Sequence, residues 1–230
     1  MLLFALVVSI SPAAIAASVP DTPPAEAGDR VKSLHEEEPK AFFERDDVRA
    51  EIDFDHIDQA LLAAAVFHET NLRRVENDLQ PLAYRPVLRE AARVQARAMV
   101  RLGKVSHSHP DEVLRTPTDR LRHLGLEGRF SAENVAMVFG IRYESGEQVY
   151  PREIDGVSVF SLEPGGEPIQ PHSYRSFAKM LLDSWMDSPG HRKNILSPHP
   201  EMLGTACLHD RSALGMDRFF CAQVFYAPFS

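Results

Sequence analysis

The chain has 230 residues, 44% of them hydrophobic, and a formal net charge of −8 at pH 7. A chain of this length is sufficient for one domain with a sizeable core. The acidic balance excludes the strongly basic composition of proteins that bind nucleic acid through their charge, so we expect no nucleic-acid partner.

The first seventeen residues resemble a secretory signal peptide. They carry no charged side chain, residues 2–10 are apolar, and Pro12 separates this run from the small residues Ala14 and Ala16. The apolar run is too short to span a bilayer. We therefore predict a signal peptide over residues 1–17 and a secreted or periplasmic protein. A disordered apolar tail on a cytosolic protein is the alternative, and no later stretch predicts a transmembrane segment.

Residues 18–56 concentrate the negative charge of the chain. They hold 12 acidic and 5 basic side chains, a net charge of −7, together with four prolines. Acidic segments that contain proline are often solvated and disordered. We therefore expect an acidic leader over residues 18–56 that is mostly disordered, followed by one nearly neutral domain over residues 57–230 that is a monomer.

Two long helices are predicted from apolar residues that repeat every three or four positions. The first extends from near residue 57 to near residue 77, with Asp53 or Asp55 as its cap. The second starts at Pro86, because proline suits the first turn of a helix, and ends before Gly103.

The middle of the chain predicts shorter elements. A short helix is expected around residues 118–124 and a buried strand over residues 134–139. Residues 140–172 are rich in Gly, Pro and Glu, with one strand-like piece at residues 157–160. We interpret this stretch as an excursion over the surface of the domain.

A third helix is expected over residues 174–186, capped by Ser173. Pro189 and Gly190 end it, so His191 is expected on a backbone corner from which its imidazole points into a cleft. This corner is the feature of the chain that most strongly indicates a functional site.

The end of the chain predicts a β-hairpin that contains both cysteines. Cys207 and Cys221 lie in strand-like runs around a turn-like stretch centred on residue 214, so they fall opposite each other. We expect a disulfide, which agrees with export, and two buried free thiols are the alternative. The order helix, helix, strand, helix, strand, strand predicts an α+β layered domain.

Several short motifs are spaced along residues 57–228. They are Asn71-x-x-Arg74, Ser106-His107, Arg120…Gly125, Glu133-Asn134, Trp185-x-x-Ser188-Pro189-Gly190-His191-Arg192-x-Asn194-Ile195-Leu196, Leu203-Gly204 and Gln223-Val224-Phe225. In this order they resemble the bacterial branch of the SCP/CAP family, which includes cysteine-rich secretory proteins, antigen 5 and pathogenesis-related proteins. The resemblance implies secretion and a three-layer α-β-α sandwich of the CAP type, with a mostly antiparallel central sheet and an open cleft.

The resemblance also implies a cleft of histidines and acids that can hold a divalent metal, commonly zinc. Carried over by motif, the metal ligands are His107, Glu133 and His191. The family's second acid has no clear counterpart, and Asp187 is the nearest candidate in the cleft. Two imidazoles and one carboxylate suit zinc with a fourth position open to water. A hydrogen-bonded cluster of the same side chains without metal is the alternative.

Two functions use these cleft residues. The first, which we favour, is a non-enzymatic secreted domain that binds a lipid, a glycan or another component of the cell envelope. The second is a zinc-dependent hydrolase of extracellular peptides or envelope polymers, with Glu133 and His191 as catalytic residues. No serine or cysteine nucleophile with a matched base is evident in the sequence, so the catalytic apparatus is incomplete.

Five arginines recur every four residues along the second helix and wind slowly along one face. This arginine stripe consists of Arg85, Arg89, Arg93, Arg97 and Arg101. A solvated face is one interpretation, and a surface for anionic groups such as phospholipid heads or acidic polysaccharide is another. In a third interpretation, the acidic leader docks on the stripe as a removable cover.

Overall fold

The computed structural model describes residues 25–143, 146–154, 156–211 and 215–229, so the predicted signal peptide lies outside the described residues. The helices are α1 Ala25–Glu36, α2 Pro39–Glu44, α3 Asp46–Arg49, α4 Gln59–Val75, α5 Pro86–Leu102, α6 Pro117–His123, α7 Tyr174–Asp187 and α8 Pro189–Ile195. The strands are β1 Ala83–Tyr84, β2 Gly128–Phe139, β3 Tyr150–Ile154, β4 Val157–Ser161, β5 Met202–Arg211 and β6 Asp217–Pro228. No helix within these ranges is long and apolar enough to cross a membrane.

Four strands form the central sheet in the order β1-β5-β6-β2. β6 is antiparallel to both β5 and β2, whereas the short β1 is parallel to β5. Alternate side chains of a strand point to opposite faces. Phe219, Cys221 and Phe225 of β6 therefore join the core built on α4 and α7, whereas Phe220 and Val224 join the core under α5. The predicted α+β sandwich with a mostly antiparallel sheet is confirmed.

The first long helix, α4, occupies most of its predicted range but has a different cap. Asp58 precedes it, and its Oδ1 accepts hydrogen bonds from the main-chain N–H groups of Ala60 and Leu61 at 3.1 and 3.0 Å. The predicted caps, Asp53 and Asp55, are wrong because the helix begins later and the unpaired amides of its first turn lie next to Asp58.

The other three predicted helices, α5, α6 and α7, agree with the predicted boundaries to within one residue. Gly103 ends α5 with a φ of 62°, a left-handed conformation that glycine adopts without steric cost. Ser173 caps α7, because its Oγ accepts a hydrogen bond from the main-chain N–H of Ser176 at 3.1 Å. The predicted strand over residues 134–139 is the second half of β2, which begins at Gly128.

The prediction of a mostly disordered leader is wrong for the part of it that the structure describes. Residues 25–49 form α1, α2 and α3, and five apolar side chains between residues 28 and 54 are buried in the main core. They are Leu34, Phe42, Phe43, Val48 and Ile52. The charge pattern gave a wrong prediction because many of the acids pair with neighbouring bases, such as Glu37 and Asp47 with Arg45. The apolar side chains of the segment can therefore pack against the domain.

Residues 140–172 contain more regular structure than predicted. β3 and β4 pair as an antiparallel hairpin, with Tyr150 opposite Ser161, and form a second, two-stranded sheet. Phe160 of this hairpin packs with Ile141 and Met216 in a small buried cluster. Residues of the excursion therefore pack against the rest of the domain through this apolar cluster.

Cys207 and Cys221 form a disulfide, as predicted. They are opposite each other in the register of β5 and β6, and their Cα atoms are 4.0 Å apart. Both residues are buried on the side of the sheet that faces α4 and α7. The alternative of two free thiols is thus wrong, whereas the predicted turn at residues 212–214 lies outside the described residues.

Candidate functional site

The contact between His107 and Glu133 is the centre of the candidate site. His107 lies in the loop after α5, and Glu133 lies on the edge strand β2. Nδ1 of His107 is 2.9 Å from Oε1 of Glu133, whose side chain is 1% exposed, whereas that of His107 is 54% exposed. A carboxylate only accepts hydrogen bonds, so Nδ1 is the donor and Nε2 is the nitrogen left for a ligand.

Arg120 holds the opposite oxygen of Glu133. This arginine of α6 donates from Nη2 to Oε2 of Glu133, and its side chain is 1% exposed. Its Nη1 donates to the main-chain oxygens of His107 and Leu114 at 3.3 and 3.0 Å. One buried guanidinium therefore connects α6, the His107 loop and β2. Arg120 belongs to one of the motifs that carry the resemblance, but no local sequence signal indicates its place in the site.

His191 approaches from the other layer of the sandwich. It lies inside α8, which Pro189 begins, so the predicted backbone corner is in fact the junction of two helices that share Ser188 as a flanking residue. The reason is that proline is favoured at the first position of a helix. Burial lowers the pKa of His191, and so does the charge of His107.

A series of hydrogen bonds between side-chain amides connects α8 to the sheet. Nδ2 of Asn194 donates to Oδ1 of Asn134 at 2.8 Å, and Nδ2 of Asn134 donates to the main-chain oxygen of His191 at 3.2 Å. The same Asn134 amide donates to Gln223 Oε1 at 3.1 Å, and Gln223 Nε2 donates to Thr70 Oγ1 at 2.6 Å. Asn134, Gln223 and Thr70 are fully buried. The main chain that carries His191 is therefore fixed to β2, β6 and α4.

The structure brings the predicted metal ligands together only in part. Both oxygens of Glu133 already accept hydrogen bonds, so this acid lies behind His107 rather than beside it as a ligand. Asp187 is the exposed last residue of α7, and the acid that contacts His107 is Glu133. Among the residues that the structure describes, no group of three His, Cys, Asp or Glu side chains is arranged to hold a metal ion.

The arginine stripe on α5 is unevenly exposed. Arg85 and Arg101 at its ends are exposed, whereas the three arginines between them are half-buried. Nε of Arg93 lies 2.8 Å from Oε2 of Glu90 on the same helix. The leader acids Glu37, Glu44 and Asp47 pair with arginines of the leader itself, and Glu51 pairs with Arg142. These pairs do not support a leader that covers the stripe, and binding of anionic groups stays a prediction.

A sequence model of the Cysteine-rich secretory protein family, CAP, matches residues 67–225. This range is more than half of the chain and includes all four residues of the predicted cleft. The protein therefore belongs to the Cysteine-rich secretory protein (CAP) family. None of the curated proteins compared with the chain matches it.

Three solved structures are similar to this chain. An extracellular protein containing a SCP domain from Bacillus anthracis str. Ames is 21% identical, with 73% of this chain and 41% of that chain covered and a TM-score of 0.49. An outer surface protein from Borrelia burgdorferi is 14% identical, with 71% and 90% covered and a TM-score of 0.45. A cysteine-rich secretory protein from Staphylococcus aureus subsp. aureus Mu50 is 15% identical, with 74% and 39% covered and a TM-score of 0.43. The chain spans less than half the length of the first and third proteins, and the family assignment rests on the sequence match.

Proposed function

We propose that this protein is exported from the cell and binds a lipid, a glycan or another component of the cell envelope through the predicted cleft that contains His107 and His191. The observation that carries the proposal is the hydrogen bond from His107 to the buried carboxylate of Glu133. It fixes the orientation of an exposed ring, and a side chain held in one orientation loses little entropy when a ligand binds. A ring that served only to pack the loop would not need half of its surface exposed.

A divalent ion such as zinc fits the chemistry of two of the three predicted ligands. His107 and His191 would hold it through ring nitrogens, with Glu133 as the hydrogen-bond acceptor behind His107, an arrangement common around metal-bound histidines. Two imidazoles are one protein ligand fewer than zinc sites usually have, so we expect weak binding. When bound, the ion would offer a positive charge to an anionic or carbonyl group of the ligand.

The hydrolase is the less supported function. A general base needs a carboxylate that can take a proton from water. Glu133 is buried and has both oxygens occupied, by His107 and by Arg120, so it is not available for that role as the structure places it.

The test is cosedimentation of the purified protein with phospholipid vesicles and with insoluble cell-wall polysaccharide. We expect one of the two to retain the protein, and His107→Ala and His191→Ala each to weaken retention by about tenfold, a loss of about 1.4 kcal/mol. His56→Ala is the matched control, because this histidine is exposed and pairs with Asp53 in the N-terminal part of the chain. Equal retention of all three variants and the wild-type protein would rule out the histidine cleft as the binding site.

A weak metal site is tested separately by calorimetric titration with zinc. We expect His191→Ala to lose the binding isotherm and His56→Ala to keep it. If both variants keep zinc binding, or if both lose it, the assignment of the ion to the cleft is contradicted.

A further inference from the structure

Residues 28–54, which we call the strap, lie against α4 and α7 through buried apolar side chains. The strap also makes a few polar contacts with the rest of the domain. They include the ion pairs Arg30–Asp58, Glu44–Arg175 and Glu51–Arg142 and the hydrogen bond from Arg175 to the main-chain oxygen of Phe43. The whole strap lies before residue 67, where the match to the family begins. The strap is therefore an addition to the part of the chain that defines the family.

Two buried histidines lie where the strap meets α4. His35, near the end of α1, stacks on Tyr84 with 3.8 Å between ring centroids, and its Nδ1 is 2.7 Å from the main-chain oxygen of Val31. Its Nε2 is buried and has no hydrogen-bond partner among the residues that the structure describes. His68 of α4 contacts the strap directly, because its Nε2 is 2.7 Å from the main-chain oxygen of Leu34.

A third buried histidine lies at the other end of the strap. The main-chain oxygen of His172 accepts a hydrogen bond from the N–H of Ile52 at 2.8 Å. Nδ1 of its ring is 3.0 Å from Oγ of Ser176, and its Nε2 is buried without a partner in the described part of the chain. The contact between strap and domain thus has a neutral, desolvated imidazole at each end.

Protonation of these rings is opposed by their surroundings. The ring nitrogens described above face main-chain oxygens, a hydroxyl or no partner at all, rather than carboxylates. The charged groups that act on the pKa values of the rings are Arg89 for His35, Arg142 for His172, and Glu37 and Glu38 for His68, and the charge of His68 also acts on His35. Burial lowers the pKa of all three, that of His35 to about 3 and that of His172 to about 4. The two glutamates partly offset this effect at His68.

We propose that the strap is an acid-sensitive cover of helix α4, which detaches when the histidines along its contact become protonated while the central sheet stays folded. An exposed histidine has a pKa of about 6.5. Below that pH, each histidine that opening exposes favours the detached state by tenfold per pH unit, down to its pKa in the closed state. Acidification from pH 6.5 to 5.0 would thus favour detachment by about 15-fold for each of His35 and His172. Detachment would expose the apolar face of α4 that Phe42 and Phe43 now cover.

The test is hydrogen exchange of the full chain, followed by mass spectrometry at pH 7.0 and 5.0, with rates corrected for the intrinsic effect of pH. We expect protection of α1 and α2 to fall at least tenfold more than protection of β6, which is paired on both sides. A uniform fall across both regions, or no fall in either, would overturn the proposal, and this comparison needs no variant.

A double variant, His35→Phe with His68→Gln, tests which groups carry the effect. Phenylalanine keeps the ring stacked on Tyr84, and glutamine keeps a donor for the main-chain oxygen of Leu34. We expect the selective loss of protection at pH 5.0 to shrink by at least tenfold in the double variant and to persist in His56→Gln. The same acid response in the double variant as in the wild-type protein would also overturn the proposal.

Discussion

Arg120 and Glu133 face each other as an ion pair in which each side chain is 1% exposed. The pair lies between α6 and the edge strand of the sheet, directly behind His107. A buried carboxylate without a cation would be strongly unfavourable, so Arg120 compensates the charge of the carboxylate that orients the histidine. The candidate site therefore depends on a residue that does not itself reach the cleft.

We expect Arg120→Gln to lower the free energy of unfolding by about 3–5 kcal/mol, because it leaves the charge of Glu133 buried and unpaired. The measurement is urea denaturation at pH 7. Arg122→Gln is the control, since Arg122 lies on the same helix but is 59% exposed and pairs with Asp119. Its loss should be below about 1 kcal/mol, as is usual for exposed ion pairs. Equal effects of the two substitutions would contradict the role assigned to Arg120.

Two glycines should respond to alanine in opposite directions. A Cβ on Gly204 of β5 would overlap the main chain of Leu88 and Arg89, where α5 crosses the sheet closely. We expect Gly204→Ala to lower the free energy of unfolding by about 3 kcal/mol or more, because main-chain atoms cannot move aside. A Cβ on Gly190 in α8 meets nothing within 4 Å, so Gly190→Ala should stabilise by about 0.5 kcal/mol through helix propensity. Thermal unfolding of both variants checks the pair, and a tolerated Gly204→Ala would show that α5 is not packed as described.

Removal of the disulfide should destabilise the protein without changing its fold. The bond closes a loop with a sequence separation of 14 residues. For a loop of that size, the chain-entropy model gives about 3 kcal/mol. The double variant Cys207→Ala with Cys221→Ala should lower the free energy of unfolding by about that amount. Wild-type protein with the bond reduced after unfolding is the control, and the two should agree. Retained stability in both would mean that β5 and β6 need no covalent link.

Much of the fold was predictable because its signals are local. The limits of α5 and α7 follow from three residues that start or end helices. Pro86 begins α5, Gly103 ends it, and Ser173 caps the N-terminus of α7. The disulfide was predictable because a hairpin places Cys207 and Cys221 at equal distances from its turn. In these cases, the residues that decide the structure are close together in the sequence.

The strap and the ion pair between Arg120 and Glu133 were not predictable in the same way. Acidic composition indicated a disordered segment, but the burial of Phe42 and Phe43 depends on a partner surface on α4 that the local sequence does not reveal. Arg120 is one of many arginines in the chain, and its role depends on burial and on the distant Glu133. Such roles become evident only when the tertiary contacts are known.

The buried histidines predict a loss of stability in acid. Burial and the charge of Arg142 lower the pKa of His172 to about 4, so the folded protein holds this ring neutral while the unfolded chain protonates it below pH 6.5. The unfolded state binds more protons in this range, and stability therefore falls as the pH falls from 6.5 to about 4. The contribution of His172 to that fall is about 3 kcal/mol.

We expect His172→Asn, compared with the wild-type protein by urea denaturation at several pH values, to show a shallower decline by roughly this amount. His56→Gln should not make the decline shallower, because Asp53 raises the pKa of that exposed ring and its protonation therefore favours the folded state. A decline in His172→Asn as steep as that of the wild-type protein would mean that the ring of His172 is accessible to protons in the folded state.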